Sequence, residues 1–197
     1  MKIIWVKEFL TIANKPNPAT PHKIFRAASE LFAKNSYEAV SVKDIAEAGN
    51  INSALISYYF GGKAKLYQAV LLKQADIFLN TIAKISRLQL SPLEKIRRFM
   101  DEETELQLKN SNNIYIIYRE MLSPTGVGEK IVQQHLFKVQ DYLSKFVAEG
   151  IADGSLRKDL DAKHTAFALE SILAFFFMAK DNIKAAFGFE ESSLREH

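Results

Sequence analysis

The stretch from Ser41 to Tyr67, SVKDIAEAGNINSALISYYFGGKAKLY, most narrows what this chain can fold into. Ser41 followed by Asp44 three residues later has the form of a capping box, which starts a helix. Val42, Ile45 and Ala46 then share one face. Gly49 falls where that helix ends and a positive φ is expected. Asn52 can cap a second helix reaching about Phe60, with Leu55, Ile56 and Phe60 as its apolar contacts. Two short helices joined through Gly49-Asn50-Ile51 form the helix-turn-helix unit, whose second helix enters the major groove of DNA.

Helix-turn-helix spacing occurs by chance in many helical proteins, so the flanking residues carry the specificity. Upstream stands Ile24-Phe25-Arg26-Ala27-Ala28-Ser29-Glu30-Leu31-Phe32, then Tyr37. Downstream stands Tyr58-Tyr59-Phe60-Gly61-Gly62-Lys63, then Leu66-Tyr67. Taken together, Ile24 to Tyr67 resembles the DNA-binding domain of the TetR family of transcriptional repressors. The form NxxxxxYYFGGK, here Asn52 to Lys63, resembles one subgroup of that family. Two positions depart from the family pattern. Ser36 replaces a common glycine, so Asn35 or Ser36 is expected to take the left-handed turn. Ala64 replaces a common glutamate. Neither lies on the expected DNA face.

The resemblance implies an all-α chain with a three-helix head on a helical-bundle body. It implies a segment 1–19 of accessory character, a DNA-binding domain over 20–66 and an effector-binding and dimerisation domain over 67–197. It further implies a cytoplasmic, ligand-responsive repressor. Such a protein binds a two-fold symmetric operator in double-stranded DNA as a homodimer and answers to a small-molecule effector. No enzymatic activity, cofactor or membrane partner is expected.

Bulk properties agree with this picture. Forty-eight per cent apolar residues suffice for a packed core, and the absence of cysteine excludes disulfides and thiolate metal sites. Net charge is +3. Residues 1–73 hold 10 Lys and Arg against 5 Asp and Glu, a local charge of +5, and the remainder carries −2. A basic N-terminal part on a mildly acidic remainder suits a DNA-binding head, although an uneven solvated surface would look the same. No apolar run reaches the roughly 18–20 residues that span a bilayer; the nearest, Ala166 to Ala179, contains Glu170. The apolar N-terminal stretch is broken by Lys7-Glu8 and lacks a small-x-small cleavage site, which argues against a signal peptide.

Along the chain, Pro16, Pro18 and Pro21 predict an extended linker over 15–21, with Thr20 as cap and Pro21 opening a helix. Ile24, Ala27, Ala28, Leu31 and Phe32 give that helix one apolar face. A long helix is predicted from Lys63 to about Ile85. Ser91-Pro92-Leu93-Glu94 restarts helix, and 110–113 (NSNN) forms a polar break. IYIIY within Ile114–Leu122 has strand propensity but no partner strand, so a short buried helix is expected. Helices from Val127 to about Ala152, and from Ala162 (capped by Asp161) to about Phe187, complete eight or nine helices.

Periodicity leaves Ser53, Ala54, Ser57 and Tyr58 on the outer side of the second helix, small or hydrogen-bonding groups suited to base edges. The Tyr59 hydroxyl and the Lys63 ammonium suit phosphate oxygens. The resemblance places base contacts around Ser53, Ala54 and Ser57 and phosphate contacts at Tyr59 and Lys63. With Ser41, Lys43 and Asn52 these make the expected DNA-binding set. The plainer reading of Tyr58 and Tyr59 is ordinary helix packing.

In the body, Phe99, Tyr115, Tyr118, Met121, Phe137 and Phe167 are the candidate effector-binding residues, with Arg119 as a polar one. Core packing is the plainer reading for any of them, and Arg119 with Glu120 could equally form an exposed pair. The last helix is more apolar than one buried face requires, which points to a partner subunit over Phe167, Ile172, Phe175 and Phe176.

Other chemistries find little support. His22, His135, His164 and His197 lack paired spacing, and His164 is explained by a helix start. Glu102, Glu103 and Glu105 read as a solvated face. No Glu-x-x-His pair, Walker loop or GxSxG occurs. A helical adaptor without a DNA target and, more remotely, a metal-binding helical-bundle enzyme are the alternative classes.

Overall fold

A computed structural model describes residues 19–109 and 111–188, with the side chains of 111–113 and 181 set aside. The accessory segment 1–18, the Pro16 and Pro18 linker and His197 lie outside the described residues. Within them the chain is all α. The helices are α1 Ala19–Lys34, α2 Val42–Ala48, α3 Ala54–Phe60, α4 Lys63–Ile85, α5 Pro92–Lys109, α6 Ser111–Leu122, α7 Glu129–Asp153 and α8 Ala162–Phe187.

Local chemistry sets most boundaries. Ser41 Oγ accepts from the Asp44 N–H at 3.1 Å while Asp44 Oδ2 accepts from the Ser41 N–H at 2.8 Å, the reciprocal capping box that starts α2. Asn52 Oδ1 accepts from the Ala54 N–H at 2.9 Å and opens α3. Ser91 with Glu94, and Asp161 with the His164 N–H, start α5 and α8 in the same way. Gly61 closes α3 at φ 75° and Gly62 follows at φ 108°, conformations that a side chain would strain.

Three boundary expectations are corrected. Ala19 is already helical, so Thr20 and Pro21 sit inside the first turn of α1, where proline is tolerated. Gly49 has φ −85°, and Asn50, at φ 46°, makes the left-handed turn instead. Gly49 is needed for room: a Cβ there would meet the Ile45 carbonyl and Ile51 Cγ1 at 3.3 Å and Ala27 Cβ at 3.6 Å. Neither Asn35 nor Ser36 takes a positive φ. The Asn35 side-chain amide donates to the Leu31 carbonyl at 3.0 Å, and Ser36 Oγ accepts from the Ala39 N–H at 3.3 Å.

Two cores share α4. The first joins Ile24, Phe32, Ile45, Ile56, Phe60, Leu66, Tyr67 and Leu71 to Ile116 and Ile117 of α6 and Val132 of α7. The second gathers Leu79, Ile82 and Ile85 of α4 with Ile96, Phe99, Val139, Leu143, Phe146 and Ala166. Helix α6 therefore lies between head and bundle, which explains why the β-branched IYIIY run is helical: Ile114, Ile116, Ile117 and Tyr118 are all buried. The expected polar break over 110–113 shrinks, because α6 starts at Ser111.

Among the described residues, Ala162–Lys180 alone is long and apolar enough to cross a membrane by length and composition. It contains Glu170 and packs along α7 and α5, as the flank of a helical bundle does.

Candidate DNA interface and effector cavity

Helix α3 presents two unlike faces. Ile56, Tyr59 and Phe60 are buried in the first core, whereas Ser53, Ala54, Ser57 and Tyr58 are exposed, Tyr58 at 55%. Ser41, Lys43 and Asn52 are exposed nearby. Tyr59, expected to meet phosphate through its hydroxyl, sits on the inner side of α3. It is only 7% exposed and meets Tyr58 edge-to-face at 4.9 Å, so most of its ring belongs to the core. The Lys63 ammonium sits 4.1 Å from the centre of the Tyr37 ring, a cation–π contact that holds it beside the start of α4.

Head and body meet through charged groups. Arg119 faces the head rather than the cavity expected for it. Its guanidinium donates to the carbonyls of Phe32 at 2.9 Å and Ala33 at 3.1 Å, and to that of Asn35. These belong to the C-terminal end of α1, whose last carbonyls have no partner within the helix and carry its negative dipole end. Next to it, buried Glu120 accepts from the Tyr67 hydroxyl at 2.8 Å and from the Thr125 N–H and hydroxyl at 3.1 and 3.0 Å. Burial, followed by the bond to Glu120, pushes the Tyr67 phenol far above its ordinary range. Gly128 lets this corner close, because a Cβ there would lie 2.1 Å from Leu71 Cδ1 and 3.0 Å from Glu120 Cδ.

Between α4, α5, α6, α7 and α8 lies a cavity of about 510 Å³, a size suited to a small organic molecule. Phe99, Tyr118, Met121, Phe137 and Phe167 line it. Phe137 and Phe167 are largely exposed and mark its mouth. Tyr115 is not in the lining. Its hydroxyl donates to the Phe177 carbonyl at 2.7 Å, and its ring borders a crevice of about 10 Å³.

Sequence reasoning missed the polar wall of this cavity. Glu103, read as solvated, is 2% exposed and faces inward with Gln107. The signal was present: Ile96, Phe99, Glu103 and Gln107 fall on one stripe at spacings of three and four. Burial, then the charge of Glu170, pushes the Glu103 carboxyl up to about 8. Burial raises Glu170 to about 7. Across the cavity, buried His135 bridges the Ile131 carbonyl through Nδ1 at 2.9 Å and Asp76 Oδ1 through Nε2 at 3.1 Å.

On the outer flank of α8, Phe167, Ile172 and Phe175 are each about two-thirds exposed, next to Phe137 of α7. Phe176 is half-buried and meets Phe177 edge-to-face at 5.2 Å. No group of three or more potential metal ligands occurs among the described residues.

Comparison with known proteins places this architecture. Residues 24–70 match the family model for bacterial regulatory proteins of the tetR family, and residues 89–176 match that for the C-terminal domain of tetracyclin-repressor-like proteins. The chain belongs to the TetR family of transcriptional regulators. It is 24% identical over 160 residues to the probable HTH-type transcriptional regulator YttP of Bacillus subtilis, covering 79% of this chain and 75% of that protein. It is 25% identical over 142 residues to the HTH-type transcriptional repressor KstR2 of Mycolicibacterium smegmatis, covering 71% and 68%. A solved structure of AibR in complex with isovaleryl coenzyme A and operator DNA shares the fold, with TM-score 0.71 and 21% identity over 80% of this chain and 85% of that one.

Proposed function

We propose that this chain is a ligand-responsive repressor that binds a two-fold symmetric operator as a homodimer in the cytoplasm. The observation that carries the reading is the two-faced α3, with a buried inner side and an outer side of small polar groups. Residues 20–66 serve as the DNA head and 67–197 as the effector and dimerisation body. The form of Asn52 to Lys63 supports assignment to the subgroup with the NxxxxxYYFGGK recognition helix.

In the complex, Ser53, Ala54, Ser57 and Tyr58 face base edges, and Ser41, Lys43, Asn52 and Lys63 line the backbone side. Tyr59 can add only its hydroxyl edge. Dimerisation over Phe167, Ile172 and Phe175 covers an apolar flank that water would otherwise solvate, and it sets two α3 helices about 34–36 Å apart, one DNA turn. Ligand in the cavity bears on α6, whose opposite side holds α1 through Arg119 and α4 through Glu120. A ligand that favours one position of α6 thus changes head spacing, by a coupling of about 1–3 kcal/mol.

A mobility-shift assay with the DNA flanking its own gene tests the reading. Sequence-selective binding that weakens steeply with salt is expected. Equal affinity for unrelated duplexes, or none, would refute it.

A further inference from the structure

The polar groups around the large cavity are unbalanced. Its lining holds two carboxylates, Glu103 and Glu170, and neither lysine nor arginine. Gln133 donates to Glu129 at 3.0 Å, Gln140 to the Lys163 carbonyl at 2.9 Å, and His135 has both ring nitrogens on oxygen. The Ser171 hydroxyl donates to the Phe167 carbonyl at 2.7 Å. Three side-chain oxygens of the lining residues lack a donor. Glu103 Oε1, Gln107 Oε1 and Gln140 Oε1 are buried, line the cavity and have no partner. Glu103 and Gln107 are each 2% exposed.

Buried acceptors without donors are destabilising, so a ligand that supplies donors gains by satisfying them. A carboxylate or phosphate would find no lysine or arginine here and would meet Glu103 and Glu170 among apolar walls. From this imbalance we infer that the cavity takes an apolar amine, an aryl or alkyl body lying on Phe99, Ile117 and Leu136 with its ammonium on Glu103 and Gln107. This rests on the ligand-responsive reading above and narrows it to a chemical class.

The electrostatics give the interaction a pH signature. The groups acting on Glu103 are Glu102 and Gln107 on its own helix and Glu170 from α8. Tyr118 of α6 faces it, and the far wall carries His135 paired with Asp76 of α4. An ammonium favours ionised Glu103 and Glu170, so binding near neutrality expels protons and strengthens as pH rises toward about 8.

Calorimetry on the full-length protein with 4-phenylbutylamine, 4-phenylbutanol and 4-phenylbutyrate tests the inference. The amine should bind at least about tenfold tighter than the other two. Its binding heat should differ between phosphate and Tris at pH 7, as released protons require. Glu103→Gln should lose that preference and release fewer protons, Glu170 remaining, without a lower melting temperature. Equal or tighter binding of the butyrate, no binding of the amine, or an unchanged Glu103→Gln variant would overturn it. Operator binding is measured on the same samples. Operator released by butyrate and not by amine sinks the ligand class and leaves the regulator standing. Amine binding at Glu103 by a protein with no operator keeps the site and sinks the regulator.

Discussion

The Arg119 guanidinium lies 2.9 Å from the Phe32 carbonyl oxygen, 87 residues earlier in the chain. It joins the last turn of α1 to a helix whose other side, at Ile117, Tyr118 and Met121, borders the cavity. Arg119→Met keeps the side-chain length and removes every donor. Losing charge-assisted bonds to a helix end should cost roughly 1–3 kcal/mol. Calorimetry should show the melting temperature falling by about 2–4 °C for each kcal/mol lost in a chain of this size. An unchanged melting temperature would remove Arg119 from the head–body link.

Gly128 gives a second probe of the same corner. Gly128→Ala would press a methyl group onto Leu71 and Glu120, where the available separations are 2.1 and 3.0 Å. Because Glu120 is tied to Tyr67 and Thr125, it has little freedom to retreat. Overpacking of this kind costs about 1–3 kcal/mol. Urea denaturation should report it as a lower midpoint at unchanged slope.

How far these features could be read beforehand follows from how local their causes are. The starts of α2, α5 and α8 were legible because a cap and its partner lie within three residues. The span of α4 was legible because Gly61-Gly62 punctuates its beginning. Arg119 was not, since its acceptors are supplied by α1, and neighbouring residues suggested only a surface pair with Glu120. The depth of Tyr59 was not legible, because periodicity places a ring on a face without saying how deep that face lies. Glu103 was legible in its stripe with Ile96 and Phe99, but its neighbours Glu102 and Glu105 hid it among solvated charges.

Adjacent tyrosines on α3 should separate folding from DNA binding. Tyr58→Ala removes an exposed ring and should leave the melting temperature within about a degree, since surface changes fall within ±0.5 kcal/mol, while weakening operator retention in a mobility-shift assay. Tyr59→Ala empties core volume beside Ile56 and Phe60 and should cost about 3–5 kcal/mol. If Tyr59→Ala melts like the parent, that ring is not part of the core.

Ile172 tests the proposed partner surface. It is 65% exposed between Phe167 and Phe175, so Ile172→Asp should barely disturb the isolated chain. In a dimer it would bury a carboxylate without a partner, a change costing several kcal/mol per copy. Light scattering at micromolar concentration should show the parent as a dimer and the variant as a monomer. Operator affinity should fall with dimerisation, because one head reads only half a symmetric site. A parent that scatters as a monomer would remove this interface.

Glu103 links the cavity to stability through pH. Burial and the charge of Glu170 raise its carboxyl to about 8 from an ordinary 4.5. Between these values the folded protein binds a proton that the unfolded chain has released, so unfolding becomes easier as pH rises. The stabilising share of Glu103 is therefore complete below about pH 4.5 and is lost through about pH 8. Glu103→Gln has no proton to lose and keeps an amide of nearly the same shape. Its melting temperature relative to the parent should climb between pH 5 and 8 and level off above about 8. A constant difference across that range would mean that Glu103 ionises in the folded protein as it does in the unfolded chain.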